Sequence, residues 1–245
     1  MKRVWNTKAQ VTLILIVSIV VVSLLIIFFV FRTKLIPRPE EKIPEIANIN
    51  NIIQDCIKER SIDAIMLVGL QGGYTNAPEK NIKLGNFNVA YGLYNNKNIL
   101  TPLSKMESEI SNYIKLTFPF CINEQDFPQL KITQKNPKAN VKINQDSVKI
   151  LLNFPLSITK DKKTVNLNKN YESEIPIRLG KMHLTANSII QKHIDNKEFI
   201  DITYLTEQDF NIVFTHYTEK TLIYTITDTD EKAIPYSFVF VVEGK

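Results

Sequence analysis

The chain has 245 residues, two cysteines and a formal net charge of +5 at neutral pH. That length allows one or two domains and a core that needs neither metals nor several disulfides. The charge is localised: setting aside Lys2, Arg3, Lys8 and Arg32 leaves 26 bases against 25 acids, which excludes the basic footprint of a nucleic-acid binder.

Those four bases flank the run Val11–Phe31, 21 residues with no charge, no proline and no glycine; only Thr12, Ser18 and Ser23 are polar. At about 1.5 Å per helical residue the run spans roughly 30 Å, the thickness of a bilayer's hydrocarbon core. A helix satisfies its own backbone hydrogen bonds, so lipid can surround it. The expectation is a short basic segment over 1–9, then a transmembrane helix over 10–32, with the lipid bilayer as partner. A cleavable secretory signal fits less well, because its apolar part is about 7–15 residues long and ends in small residues. Bases lie on both sides of the run (Lys2, Arg3 and Lys8 before it; Arg32, Lys34, Arg38 and Lys42 after it), so the positive-inside rule does not set its orientation.

Residues 33–43 read as a stiff stalk, since Pro37 and Pro39 favour extended backbone and block a helix. A helix is expected from Pro44: Ile46, Ile49, Ile53, Cys56 and Ile57 recur at helical spacing, and the pattern continues through Ile62, Ile65 and Met66 to Val68. Gly69 and then Gly72-Gly73 are expected to stop it. Residues 69–99 hold five of the seven glycines together with Tyr74, Tyr91 and Tyr94, and read as a loop with a small hairpin. Within them, Asn86–Tyr94 alternates Phe87, Val89 and Tyr91 as a short strand would. Thr101 is a good N-cap for a third helix, with Pro102 in its first turn and Leu103, Met106, Ile110, Tyr113 and Ile114 as one stripe. Phe118-Pro119-Phe120 ends it and Cys121 follows. Residues 44–128 are thus a mainly helical portion with a Gly/Tyr-rich loop. Cys56 and Cys121 fit one disulfide in an oxidising compartment, worth roughly 4 kcal/mol on a chain-entropy model, or two separate buried thiols.

From residue 129 the pattern is an antiparallel sheet with packed helices. Leu130–Thr133, Val141–Asn144 and Val148–Phe154 are rich in Ile, Val and Leu, and Asn144-Gln145-Asp146 is hairpin chemistry. Leu156–Thr159 is expected to extend that sheet beyond Pro155, with Thr164–Leu167 and Ile175–Ile177 as further strands. A helix is expected over Leu179–Ile194 and a short one near 198–208. Alternating segments 212–217, 222–227 and 236–242 close the chain. The fold class is α+β.

Catalytic and metal signatures are weak. His183 and His193 are ten apart, which on a helix separates them by about 80° rather than stacking them as i,i+4 ligands. Asp228-Thr229-Asp230-Glu231 has the acids of a calcium loop, but Ala233 and Val239 stand where glycine and glutamate belong. Glu107 and Glu109, two apart on a helix, point to different sides. No catalytic residue, metal site or cofactor is expected. Gln71-Gly72-Gly73-Tyr74 is the sharpest local signal: either a helix stop and turn, or a loop whose backbone, Gln71 amide and Tyr74 ring meet a partner or ligand.

Two resemblances add to this. Lys8-Ala9-Gln10-Val11-Thr12, leading into the apolar run, resembles the class III signal of archaeal type IV pilin-like proteins, although Ile14 stands at the fifth mature position where Glu is usual. It implies cleavage between Ala9 and Gln10 with the helix kept. Cys56 in the post-anchor helix, Leu70-Gln71-Gly72-Gly73-Tyr74, the helix before Cys121, and Pro235-Tyr236-Ser237-Phe238 are similar to a group of uncharacterised membrane proteins of small-genome archaea. That likeness implies an external domain and a Cys56–Cys121 bridge. The functional expectation is a membrane-anchored, extracytoplasmic structural or interaction protein of the cell surface, including a pilin-like role, with a protein partner or self-association. An extracytoplasmic ligand-binding or sensory domain is the alternative.

Overall fold

The computed structural model describes residues 19–27, 44–196, 200–230 and 234–244. The expected stalk, the segment 1–9 and most of the expected transmembrane helix lie outside the described residues; the part within them, 19–27, is α-helical. Among the described residues no helix is long and apolar enough to cross a membrane. The chain divides into two units, 1–46 and 47–245. The second unit is the body of the protein.

The fold is α+β. Helix α1 runs Pro44–Leu70, and its buried residues Ile49, Ile53, Cys56, Ile57, Ile65 and Val68 keep the helical spacing read from the sequence. It passes through Gly69 and ends at the next residue, Leu70. The amide of Gly73 donates to the Val68 carbonyl at 2.7 Å while Gly72 sits at φ +67°, the left-handed closure that glycine permits. Helix α2 (Leu103–Thr117) buries Met106, Ile110 and Ile114 and ends in a 3₁₀ turn, Phe118–Cys121. Helix α3 is Leu179–Asp195 and the short α4 is Ile202–Thr206.

Twelve strands are described: β1 Asn81–Leu84, β2 Phe87–Tyr94, β3 Lys97–Asn98, β4 Lys131–Gln134, β5 Lys138–Ile143, β6 Val148–Asn153, β7 Leu156–Lys160, β8 Lys163–Leu167, β9 Asn170–Ile175, β10 Asn211–Thr218, β11 Thr221–Thr227 and β12 Ser237–Glu243. The central sheet has the order β1-β2-β12-β11-β10, with β3 on β2. Its pairings are antiparallel except β2 with β12, which run parallel (Val241 opposite Tyr91). The first long strand of the body therefore lies beside the last. On one face, Val89, Ile223, Val239 and Val241 form a cluster with Ile82, and Leu70 of α1 packs against it. On the other, Tyr224 stacks on Phe240 at 5.4 Å, and Gly92 lets Ile190 of α3 and Phe240 crowd the backbone of β2.

The remaining strands form two antiparallel three-stranded sheets, β5-β6-β9 and β4-β7-β8. The sequence predicts that β7 extends the sheet of β6; instead it pairs with β4 and β8. The cause lies at Pro155, which has no N–H to continue a ladder and whose carbonyl accepts the Lys135 amide at 3.1 Å. Phe154, fully buried edge-to-face with Phe118 at 5.0 Å, pins the crossing point. Helices α1 and α2 are tied to β5-β6-β9 by polar contacts. Tyr171 Oη donates to Asn50 at 2.8 Å, Gln54 donates to the Glu172 carbonyl at 2.7 Å, and Ser111 donates to the Ala139 carbonyl at 2.8 Å.

One ion pair fixes the start of α3. Arg178 Nε donates to Asp228 Oδ2 at 2.8 Å and a second guanidinium N–H meets Oδ1, a two-pronged bond at the end of β11. The carboxylate side chain is buried and accepts a third hydrogen bond from the Asp230 amide at 3.0 Å. Burial pushes the Asp228 carboxyl up, but Arg178 and that amide outweigh it, so the group lies below its ordinary range. The folded chain then holds its proton less tightly than the unfolded chain. This stability is complete above the ordinary aspartate value of about 3.9 and is lost as pH falls through the folded value. Arg178→Ala, which leaves a buried charge unpaired, should cost about 3–5 kcal/mol in denaturant unfolding at pH 7. The difference between wild type and Asp228→Asn should shrink as the pH is taken below about 3.9.

Candidate functional site

Gln71, Gly72 and Gly73 are buried and Tyr74 is half-buried. The Gln71 side chain turns back on its own loop, donating to the carbonyls of Thr75 at 2.8 Å and Tyr74 at 3.3 Å. Thr75 is held in turn: its amide and hydroxyl both donate to Glu109 of α2, at 3.2 and 2.8 Å. Glu109 also meets Lys105 at 2.9 Å. Glu107 faces the other way and accepts the Ile143 amide of β5 at 2.9 Å. The two carboxylates each hold a different neighbour of α2.

Thr101, expected as the N-cap of α2, is not its cap. Pro102 occupies that position and no side chain caps the helix. The Thr101 hydroxyl donates instead to the Gly72 carbonyl at 2.8 Å, in a fully buried contact. A Cβ at Gly73, which sits at φ +103°, would fall 2.5 Å from Thr101 Cβ. The Gly-Gly turn therefore closes α1 and seats the segment leading into α2 against it. His183 of α3 completes the junction: its Nε2–H donates to the Thr101 carbonyl at 2.9 Å. His183, Thr101 and Gly72 thus form one hydrogen-bonded line joining α3, the entry to α2 and the exit of α1.

Cys56 and Cys121 stand at disulfide distance, with Cα atoms 6.1 Å apart and the two residues 65 positions apart in sequence. The pair joins the middle of α1 to the turn that ends α2.

A second polar feature has no counterpart among the sequence expectations. His193, buried on α3, shares a 2.7 Å hydrogen bond through Nε2 with the phenol of Tyr224 on β11. It floors a cleft of about 360 Å³ at one end of the central sheet. Asn95 and Asn96 line the cleft from the β2–β3 turn, Lys220 from the β10–β11 turn, and Glu243 from the end of β12. Asn95 (φ +49°) and Asn96 (φ +59°) make a two-residue hairpin turn, a conformation asparagine tolerates, and the Asn95 amide donates to Glu243 at 2.7 Å. The arrangement offers a cation, an anion, two amides and a buried imidazole to a small polar molecule. Among the described residues no cluster of His, Cys, Asp and Glu is placed to hold a metal ion. His216, the third histidine, is exposed on β10.

Comparison with protein-family models, with curated proteins and with solved structures finds no match to this chain.

Burial pushes the imidazoles of both His183 and His193 below their ordinary value; for His183 the bond to the Thr101 carbonyl opposes part of this. Both are therefore neutral in the fold where the unfolded chain begins to bind protons. Their contribution is fully present above about pH 6.5 and falls as pH drops through the folded values. Wild-type stability should decline as pH falls below about 6.5, by at most about 1.4 kcal/mol per pH unit for each histidine. His183→Gln, which keeps a donor but does not titrate, should show a shallower decline in chemical unfolding across that range.

Proposed function

We propose that this chain is a membrane-anchored, extracytoplasmic structural or interaction protein of the cell surface, with the run Val11–Phe31 as its anchor and no catalytic role. The observation that supports this best is the disulfide-distance pair Cys56–Cys121. Disulfides persist in oxidising compartments and are rare in reducing ones, so a bonded pair favours a body outside the cytoplasm. The bond would link two helices of the body directly and leave the sheets free to present a surface. A pilin-like role, with cleavage after Ala9, belongs to the same proposal and rests on the sequence Lys8-Ala9-Gln10 before the apolar run.

The His193 cleft favours a second reading, an extracytoplasmic domain that binds a small polar ligand. Its volume of about 360 Å³ falls within the ordinary range of ligand sites, and its lining converges from two turns and a strand end of one sheet.

Intact mass of membrane-extracted protein, alkylated with and without prior reduction, tests the proposal. The expected result is no alkylation before reduction and two alkyl groups after it, one for each of the two cysteines. Protease added to intact cells should degrade the body. Two free thiols on native protein, or a body that survives external protease while lysed cells lose it, would overturn the assignment.

A further inference from the structure

β10 is the last strand of the central sheet, and among the described residues no strand pairs with its outer side. An edge of this kind presents unpaired backbone donors and acceptors, and natural proteins guard such edges with charge, proline or shortness. Every other edge strand among the described residues follows that rule. β1 is four residues long and carries Lys83; β3 is two residues long and carries Lys97. β4 and β8 carry Lys131 and Lys163, β5 carries Lys138 and Lys142, and β9 carries Glu172 and Glu174. β10 breaks it: Asn211–Thr218 is eight residues with no charge and no proline. Two of its apolar side chains are open to solvent, Val213 at 51% and Tyr217 at 48%. One guard is present, a bulge between His216 and Thr218, and it leaves the register from Asn211 to His216 regular.

We propose that β10 is a self-association edge, on which β10 of a second copy of this chain adds in antiparallel register. This deepens the interaction reading above and rests on it. The chemistry of the edge selects the occupant. Only an extended backbone satisfies a row of ladder groups, which fixes the partner as a strand. A strand without charge meets its own duplicate with no like-charge repulsion, whereas a duplicate of β1, β4, β5, β8 or β9 would face at least one like charge near the pairing. Two-fold pairing is isologous and closes at the dimer, so each β10 edge satisfies the other. The two central sheets become one continuous sheet across the contact, in which Val213 and Tyr217 gain cross-strand neighbours.

Cysteine cross-linking on the full chain in detergent micelles tests this. Thr215→Cys lies mid-strand, where an antiparallel duplicate brings the two copies of the residue together; Lys162→Cys, on the exposed β7–β8 turn, is the control. Mild oxidation should give covalent dimer from Thr215→Cys and at least tenfold less from Lys162→Cys. Adding Val213→Lys, an exposed substitution that the fold tolerates, should reduce the Thr215→Cys dimer at least tenfold while circular dichroism stays unchanged. Equal cross-linking at both positions, no dimer from Thr215→Cys, or a dimer indifferent to Val213→Lys would overturn the pairing. If the pairing fails while protease still reaches the body on intact cells, the surface assignment survives it; if both fail, the assignment itself is at fault.

Discussion

The fold depends on how closely α1 can press against β12. At Gly69 the absence of a side chain lets the helix backbone lie against the Ser237 carbonyl and the ring of Tyr236; a Cβ there would fall 2.6 Å from Tyr236 Oη. Tyr236 is fully enclosed and donates to the Ile65 carbonyl at 3.2 Å, one turn earlier on the same helix. Leu70 then reaches the cluster of Val89, Ile223, Val239 and Val241. The same helix holds β9 through Asn50 and Gln54 and stands at disulfide distance from the end of α2 through Cys56. One helix of 27 residues therefore serves two sheets, and its last two turns set its distance from the larger one.

Where the helices meet, polar groups fix what apolar packing leaves free. The line from His183 through Thr101 to the Gly72 carbonyl orients three chain segments in directions that hydrophobic contact alone would not specify. Arg178 and Asp228 do the same between α3 and the end of β11. Each of these groups is buried or half-buried, so losing one partner leaves the other unsatisfied. The interior is in this sense specified by a few hydrogen bonds and filled by Ile, Val and Phe.

Much of the secondary structure is legible in local pattern. The spacing of Ile49, Ile53, Cys56 and Ile57 marks α1, and the alternation in 222–227 and 236–242 marks β11 and β12 within a residue or two. Other features are not legible, for different reasons. The parallel pairing of β2 with β12 joins residues about 150 positions apart, and a strand's alternation says which face is buried, not which strand lies beside it. The change of sheet at Pro155 depends on the Lys135 amide taking the proline carbonyl, a contact with no local signature. Thr101 looks like a helix cap because a hydroxyl before a proline-led helix is usually one; its actual partner, Gly72, is 29 residues away. The cleft at His193 has no sequence signal, because asparagines, a lysine and a glutamate at turns are ordinary surface residues until the sheet gathers them at one end.

The body is braced by α1, and its central sheet ends in two unequal edges, β1 guarded by lysine and β10 not. The brace stands or falls with the close approach at Gly69, and Gly69→Ala probes it by the sign of its effect. In an ordinary helix interior, glycine to alanine stabilises by roughly 0.5–1 kcal/mol. Here the added methyl meets Tyr236 and the Ser237 carbonyl, so denaturant unfolding should show a loss of about 1–3 kcal/mol, from overpacking. A variant as stable as the wild type, or more stable, would contradict the close approach.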